Sequence, residues 1–398
     1  MNFKLLLLNL FPLFSFGQKF HCSQESALVT FKRPTYDFSI RILDRVSQET
    51  GYHFVFSPIS TWLQLLTLAE GAHGSTAEEI WRVTRHHRMR CFRRKFREVL
   101  NIMDKELRPM TKRSSTIVVN KLLDVKKIFA NEVVKSKETK VLSLDFNDPQ
   151  GSTAKVNEII KTNMDGEVDE GLYQDDFNLT VLLITDTAYF RSDWQTPFNP
   201  VYTSRESFYS EDSNPIGEVK LMYQIGYFNV TDVPFINAQV LELPFSSKGR
   251  VSMLVLLPKD GSVRDLYYRL KDIRLMTIYS LFRQRGPKLV SVKLPRFKIT
   301  TDLANIPELV FDMGVKRVFY PNLADLSGIS DYTTHASLMT QIADIEITEK
   351  GANASSVPES LISDSKTNEN FVANRPFAYL IDCNLRIYLN VPRNYNVT

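Results

Sequence analysis

Side chains able to do chemistry are few in this sequence, and none falls into a recognisable catalytic constellation. Six histidines occur, His21, His53, His73, His86, His87 and His335, and none stands in a recognisable nucleophile–base setting. There is no G-x-S-x-G elbow, H-E-x-x-H helix, phosphate-binding glycine loop or dinucleotide fingerprint. Nothing therefore argues for an enzyme or for a cofactor. The three cysteines, Cys22, Cys91 and Cys383, lack C-x-x-C spacing, so no metal site is expected. Their odd number leaves at least one thiol unpaired or paired between molecules. Two stretches carry chemistry of another kind. Arg82, Arg85, Arg88, Arg90, Arg93, Arg94, Lys95 and Arg97 fall within sixteen positions with no acidic residue among them. Clustered guanidinium groups bind sulfate or phosphate bidentately and release counterions, which makes Arg88, Arg90, Arg93, Arg94, Lys95 and Arg97 candidate polyanion contacts. Charge runs are more usually solvated faces, and both readings stand.

The second stretch runs from Gln341 to Phe377. Residues 342–348 alternate apolar and polar side chains, the pattern of a half-buried strand. Glu349, Lys350 and Gly351 break it. Ala352, Asn353, Ala354, Ser355 and Ser356 follow, all small or polar, and then a Ser-, Glu- and Asn-rich stretch to Asn370. A long uncommitted loop between strands is usually functional.

The remaining elements must position this loop. The chain has 398 residues, 43% hydrophobic and 24% charged, with a net charge of +4, which are globular values. No linker or repeat divides it. Residues 1–17 read as a secretory signal peptide, one Lys before a Leu/Phe-rich core too short to span a bilayer, so a secreted, soluble 18–398 domain is expected. Asn178, Asn229, Asn353 and Asn396 begin N-x-S/T sequons, candidate glycan sites in a secreted chain. Helices are expected near 37–46 and 58–71, with Ser57 as N-cap and Gly71 as a left-handed terminator. A capping box from Ser75 to Glu78 should open another. Helices are also expected at 127–135, 152–163 and 263–283. Strands are expected at 116–122, 141–146, 180–190, 240–245, 253–258, 290–298, 377–381 and 386–391.

Several motifs, in order, resemble one family. FVFSPIS at 54–60 with GAHGSTAEEI at 71–80, YFRSDWQTPF at 189–198, the stretch ending LADLSGIS at 330, and EKGANASS followed by FVANRPF are similar to serpin signatures. The correspondence runs from about residue 37 to 394. The resemblance implies an α+β serpin fold, with three β-sheets, about eight to nine helices and an exposed reactive-centre loop near 349–370. It implies a suicide substrate: a serine protease cuts the loop, and the freed part inserts as a strand, dragging the acyl-enzyme with it. The inward side chains would be Ala352, Ala354, Ser356, Pro358, Ser360 and Ile362. Gly351 and Asn374 lie 23 positions apart, which fits the family's loop and places the scissile bond at Ser365–Lys366. Ser365 suggests an elastase- or chymase-like protease, and a one-residue slip to Lys366 a trypsin-like one. The family's basic helix binds heparin in some members, and the resemblance supports a polyanion partner. A monomer without nucleic-acid or membrane partners is expected. The divergence of the sequence resembles that of some serpins secreted by insect male accessory glands.

The sheet-opening cluster implied by the resemblance comprises Ser57, Ser60, Asp186, Gln341 and Trp194, with Asp186 and Gln341 standing where the family has Asn and His. A buried Asp needs donors or a raised pKa, and the serine hydroxyls are candidates for some of those donors. Glu349 and Arg296 match a family ion pair. Pro358 in the inserting segment would remove a ladder bond, and a glycan at Asn353 would hinder insertion. These departures keep a second reading in view, a non-inhibitory serpin-fold binding or decoy protein.

Overall fold

The computed structural model describes residues 22–85, 89–134, 139–245, 251–350 and 369–383. The apolar spacing around Phe38, Ile42 and Val46 belongs to a longer helix, α1 (Gln24–Glu49), because Ala27, Leu28 and Phe31 continue the buried stripe across Pro34. Pro34 forfeits one main-chain bond, and burial on both sides of it holds the helix together. Helices α2 (Pro58–Gly71), α3 (Gly74–Thr84) and α4 (Arg90–Leu107) pack beside α1. There follow β1 (Thr111–Asn120), α5 (Lys127–Val134), β2 (Thr139–Leu144), α6 (Pro149–Asn163) and β3 (Leu182–Arg191). The second half adds β4 (Ser204–Tyr209), β5 (Pro215–Val233), β6 (Ala238–Pro244), β7 (Val251–Pro258), α7 (Val263–Leu270) and α8 (Leu275–Arg285). It closes with β8 (Lys288–Pro295), β9 (Phe297–Leu303), α9 (Ile306–Met313), β10 (Leu338–Ile347), β11 (Glu369–Val372) and β12 (Ala378–Cys383).

One sheet has the order β2-β1-β3-β10-β9. Its central pair, β3 and β10, is parallel and continuous from Leu183 opposite Leu338 to Arg191 opposite Glu346. The other strands run β11-β8-β5-β6-β7-β12 with β4 on β5. The 19-residue β5 pairs with β4 and β8 at one end and with β6 at the other. It thus belongs to two smaller sheets, and the expected three-sheet layout holds. Leu182–Phe190 of β3 are buried on both faces. Val156 and Ile160 of α6 join Leu183 and Tyr189 in one apolar cluster, and Leu65 and Leu68 of α2 join Leu182 and Ile184 in another. Each such fully buried aliphatic side chain contributes about 1.5–3 kcal/mol.

Several local expectations fail for identifiable reasons. β10 is not half-buried; all its residues except Leu338 and Glu346 are buried, because α2 and the α6 segment cover both faces. Gly71 does not terminate α2 in a left-handed conformation. It is the last helical residue, and a Cβ there would stand 2.2 Å from Ile329 Cγ1. Gly328 faces it, with its N–H donating to Gly71 O at 3.0 Å and room for a Cβ only 2.8 Å from that oxygen. The capping box at Ser75–Glu78 does not form; α3 starts two residues earlier, with His73 in the N-cap position. Its neighbours are used for tertiary contacts instead: Thr76 Oγ1 accepts the Asp325 N–H, and Glu79 Oε2 accepts those of Lys316 and Arg317. The expected helix at 263–283 is two helices, and the strand at 290–298 is two strands. β8 ends at Pro295, and Arg296 turns the chain from one sheet into the other. Residues 1–17 and 386–391 lie outside the described residues.

Candidate functional site

The site is the seam between β3 and β10 and the chain leaving it. Gln341 of β10 is the register partner of Asp186 in β3, and both are buried. Behind them stands the amino end of α2. Gln341 Oε1 accepts the Ser57 N–H at 2.7 Å, and Nε2 donates to Ser57 O at 3.0 Å and Thr61 Oγ1 at 3.2 Å. Ser57 occupies the N-cap position, yet its hydroxyl donates to Ser60 Oγ at 3.0 Å rather than capping. The serines do not supply Asp186. Its partner is Arg113 of β1, whose Nη2 lies 2.5 Å from Asp186 Oδ2, while Nε donates to Ser60 Oγ at 3.1 Å. Neither carboxylate oxygen of Asp186 makes a hydrogen bond, so charge alone holds it. Both strands of the seam are thus tied to one helix end, β10 through Gln341 and β3 through Asp186, Arg113 and Ser60.

Trp194 is not part of this cluster. It sits at the hinge, beyond the carboxyl end of β10. Its indole Nε1–H donates to Thr348 O at 2.8 Å, and its main-chain N–H donates to Lys350 O at 3.0 Å. The ring stacks on Phe245 with centroids 4.6 Å apart. Phe198 N–H donates to Glu349 O at 3.1 Å. The Glu349 carboxylate accepts from Thr203 Oγ1 at 3.0 Å and lies 3.7 Å from Arg296 Nη1. The expected ion pair is therefore present, and Arg296 reaches it from the corner between β8 and β9. Gly351, Ala352, Asn353, Ala354, Ser355, Ser356, Pro358, Ser365 and Lys366 lie outside the described residues.

The basic stretch is only partly unengaged. Arg88 lies outside the described residues, and Arg90 opens α4. Phe92 and Phe96 are buried, with Phe96 against Phe31 and Trp62, which fixes the helix's inner face. Lys95 Nζ donates to Glu98 at 2.9 Å, and Arg97 Nη1 pairs with Glu132 at 2.8 Å, while Arg94 points to solvent. Cys91 is joined to Cys22 by a disulfide, and Cys383 is a half-buried thiol outside it. Of the sequons, Asn178 is exposed after a turn at Gln174–Phe177. Asn229 is half-buried within β5, its Nδ2 donating to Glu242 Oε2 at 2.8 Å. Asn353 and Asn396 lie outside the described residues.

Arg113, Thr61 and Thr203 escape a sequence reading. Arg113 was legible in one respect: at period two it shares a strand face with Ser115, Ile117 and Val119, all buried, where a lone Arg needs a partner.

A family profile described as "Serpin (serine protease inhibitor)" matches residues 34–387. Serpin A9 of Homo sapiens is 27% identical over 80% of this chain and 76% of its own. The thyroxine-binding globulin of Homo sapiens is 27% identical over 87% of this chain and 84% of its own. Among solved structures, native protease nexin-1 with heparin superposes with a TM-score of 0.76 at 23% identity, covering 90% of this chain and 96% of the other. With a profile match spanning most of its length and the five-stranded sheet and hinge in place, this chain belongs to the serpin family.

Proposed function

We propose that the protein is a secreted inhibitor of serine proteases acting as a suicide substrate. The observation that carries this is the parallel β3–β10 pair at the centre of the five-stranded sheet, with the chain leaving β10 at the end of that seam. A segment folding back from Glu349 would lie antiparallel to both neighbours, replacing one parallel ladder with two antiparallel ones, which are the more stable per residue. In this reading the protease serine attacks the Ser365 carbonyl. The Ser365–Lys366 peptide bond breaks, the Lys366 amine leaves and an ester to Ser365 remains. Insertion then carries the acyl-enzyme away before water can reach it. The small side chains at 352–356 favour entry into a packed sheet. The Cys22–Cys91 disulfide suits an oxidising compartment and supports secretion, as does the leader-like start.

Incubation with elastase-, chymotrypsin- and trypsin-like proteases, followed by a denaturing gel, tests the reading. A band larger than either partner is expected. Cleavage near Ser365 without that band, and without a rise in melting temperature, would replace the inhibitor by the second reading, a binding or decoy protein. Pro358 and the Asn353 sequon favour that alternative, and a relative named for binding thyroxine shows that family names extend to ligand carriers. Polyanion binding is a separate proposal, supported by the basic start of α4 and by a neighbour solved with heparin. Replacing Arg93, Arg94 and Arg97 by Ala should lower the salt at which the protein leaves a heparin resin. Unchanged elution discards the idea.

A further inference from the structure

The mouth of the seam carries a knot of charges that the hinge and the Asp186 cluster do not include. Arg191, the last residue of β3, is the register partner of Glu346 in β10. Its Nε lies 3.6 Å from Glu346 Oε2, and its Nη1 lies 4.0 Å from Glu167 Oε1. Two residues inward, the Tyr189 hydroxyl donates to the same Glu346 oxygen at 3.4 Å. On its other side Glu346 faces its β9 register partner Lys298 and borders an open trough of about 400 Å³ lined also by Lys220 and Arg296.

Glu167 belongs to the strap, residues 164–181, that joins α6 to β3. Asn157 of α6 clasps this strap: its Oδ1 accepts the N–H groups of Gly171 and Leu172, each at 3.0 Å, and its Nδ2 donates to Leu172 O at 2.9 Å. Gly171 permits the approach, since a Cβ there would lie 2.2 Å from Ile160 Cδ1. Leu172 and Phe177 are buried with Leu183 and Tyr189 of β3 and against Leu338 of β10. Farther across, the Tyr173 hydroxyl donates to Asp302 Oδ2 of β9 at 3.2 Å. The strap therefore crosses the seam and is fastened on both sides of it.

We infer that Arg191 is the positioning residue that keeps the mouth of the β3–β10 seam shut, by joining Glu346 across the seam to Glu167 of the strap above it. The inference rests on the inhibitory reading for its purpose, but its physical content is separate. A strand entering the seam must part Arg191 from Glu346, and while Glu167 holds the same guanidinium, that parting also loosens the strap.

Hydrogen exchange of the uncleaved, full-length protein tests this. In Arg191→Ala, amides of 183–190 and 338–346 should exchange about two- to fivefold faster, the effect of losing partly exposed ion pairs. Exchange in β6 and β7 should be unchanged, and Arg191→Lys should restore most of the protection. Unchanged exchange at the seam overturns the inference, and so does an acceleration shared equally by β6 and β7, which would mark general destabilisation. The protease panel on the wild-type chain reads the inhibitory function by itself. A chain that traps nothing yet shows the seam-specific change would keep the lock and lose the trap.

Discussion

In the five-stranded sheet, Thr116, Thr185, Asp186, Thr187, Thr340, Gln341 and Asp344 are all buried, whereas β7 buries its whole length with Ser252 as the one polar side chain. The polar atoms also fare differently. Thr116 Oγ1, Thr187 Oγ1 and Asp344 Oδ1 have no hydrogen-bond partner among the described residues, while Ser252 Oγ donates to Glu242 at 3.0 Å. Unpaired buried groups cost about 1–3 kcal/mol each. Gln224 Oε1 of β5 and Tyr379 Oη of β12 are also unpaired, but among the described residues more such groups lie in the sheet that must open in the proposed mechanism than in the strands that need not move. A strained centre beside a settled one is what a molecule that uses a later rearrangement requires: the deficit is local, and the apolar half keeps the chain folded meanwhile.

The strongest challenge to this contrast is Arg113→Ala. It strands the Asp186 carboxylate in a dry site and should cost about 3–5 kcal/mol, read as a lower denaturant midpoint. Adding Asp186→Asn should recover much of the loss. A cost near that of a surface substitution would mean that the ion pair does not hold the centre of the sheet. Smaller but more telling is a pair of opposite sign. Thr116→Val should raise stability by about 1 kcal/mol, because it deletes an unpaired hydroxyl, whereas Ser252→Ala should lower it by about 1 kcal/mol, because it deletes a paired one. If both lower stability equally, the two sheets do not differ in the way described. The smallest effect concerns pH. His335 precedes β10 with its Nε2 3.2 Å from Ser337 Oγ, and burial pushes its pKa down. The folded state therefore keeps the imidazole neutral to a lower pH than the unfolded chain does. That contribution is present above the ordinary imidazole range and is lost as pH falls through the lowered folded value. No strand of the second sheet contains a histidine. His335→Gln should flatten the fall in denaturant midpoint between neutral and mildly acidic solution, and an unaltered slope would place the titrating group elsewhere.

Much of the element order was readable because buried strands such as TVLLITDTAYF announce themselves by unbroken apolar runs. The hinge pair Glu349–Arg296 was readable through family resemblance. What failed was whatever depends on the third dimension. Ser75 and Glu78 have the spacing of a cap, but α3 begins earlier because its surroundings claim Thr76 and Glu79. Trp194 was grouped with Asp186, although it sits eight residues along and past the end of β3, where it meets Thr348 and not Gln341. The strap at 164–181 shows no helical or strand period, since its buried side chains Met164, Leu172, Phe177 and Thr180 are irregularly spaced and the bonds from Asn157 that clasp it come from a distant helix position. Arg113 looks like half of a solvated Lys-Arg pair until Asp186 is seen beside it.

Helix α2 touches the seam at one end and the paired glycines at the other. Over 14 residues it is a rod of about 21 Å, with Ser57 and Ser60 gripping both central strands and Gly71 abutting Gly328 backbone to backbone. A rod pinned at its tail cannot retreat when its head is pushed. One extra methyl at either glycine would therefore be felt as a piston stroke at Gln341 and Asp186, so in the proposed mechanism a blemish remote from the loop would set how readily the seam parts.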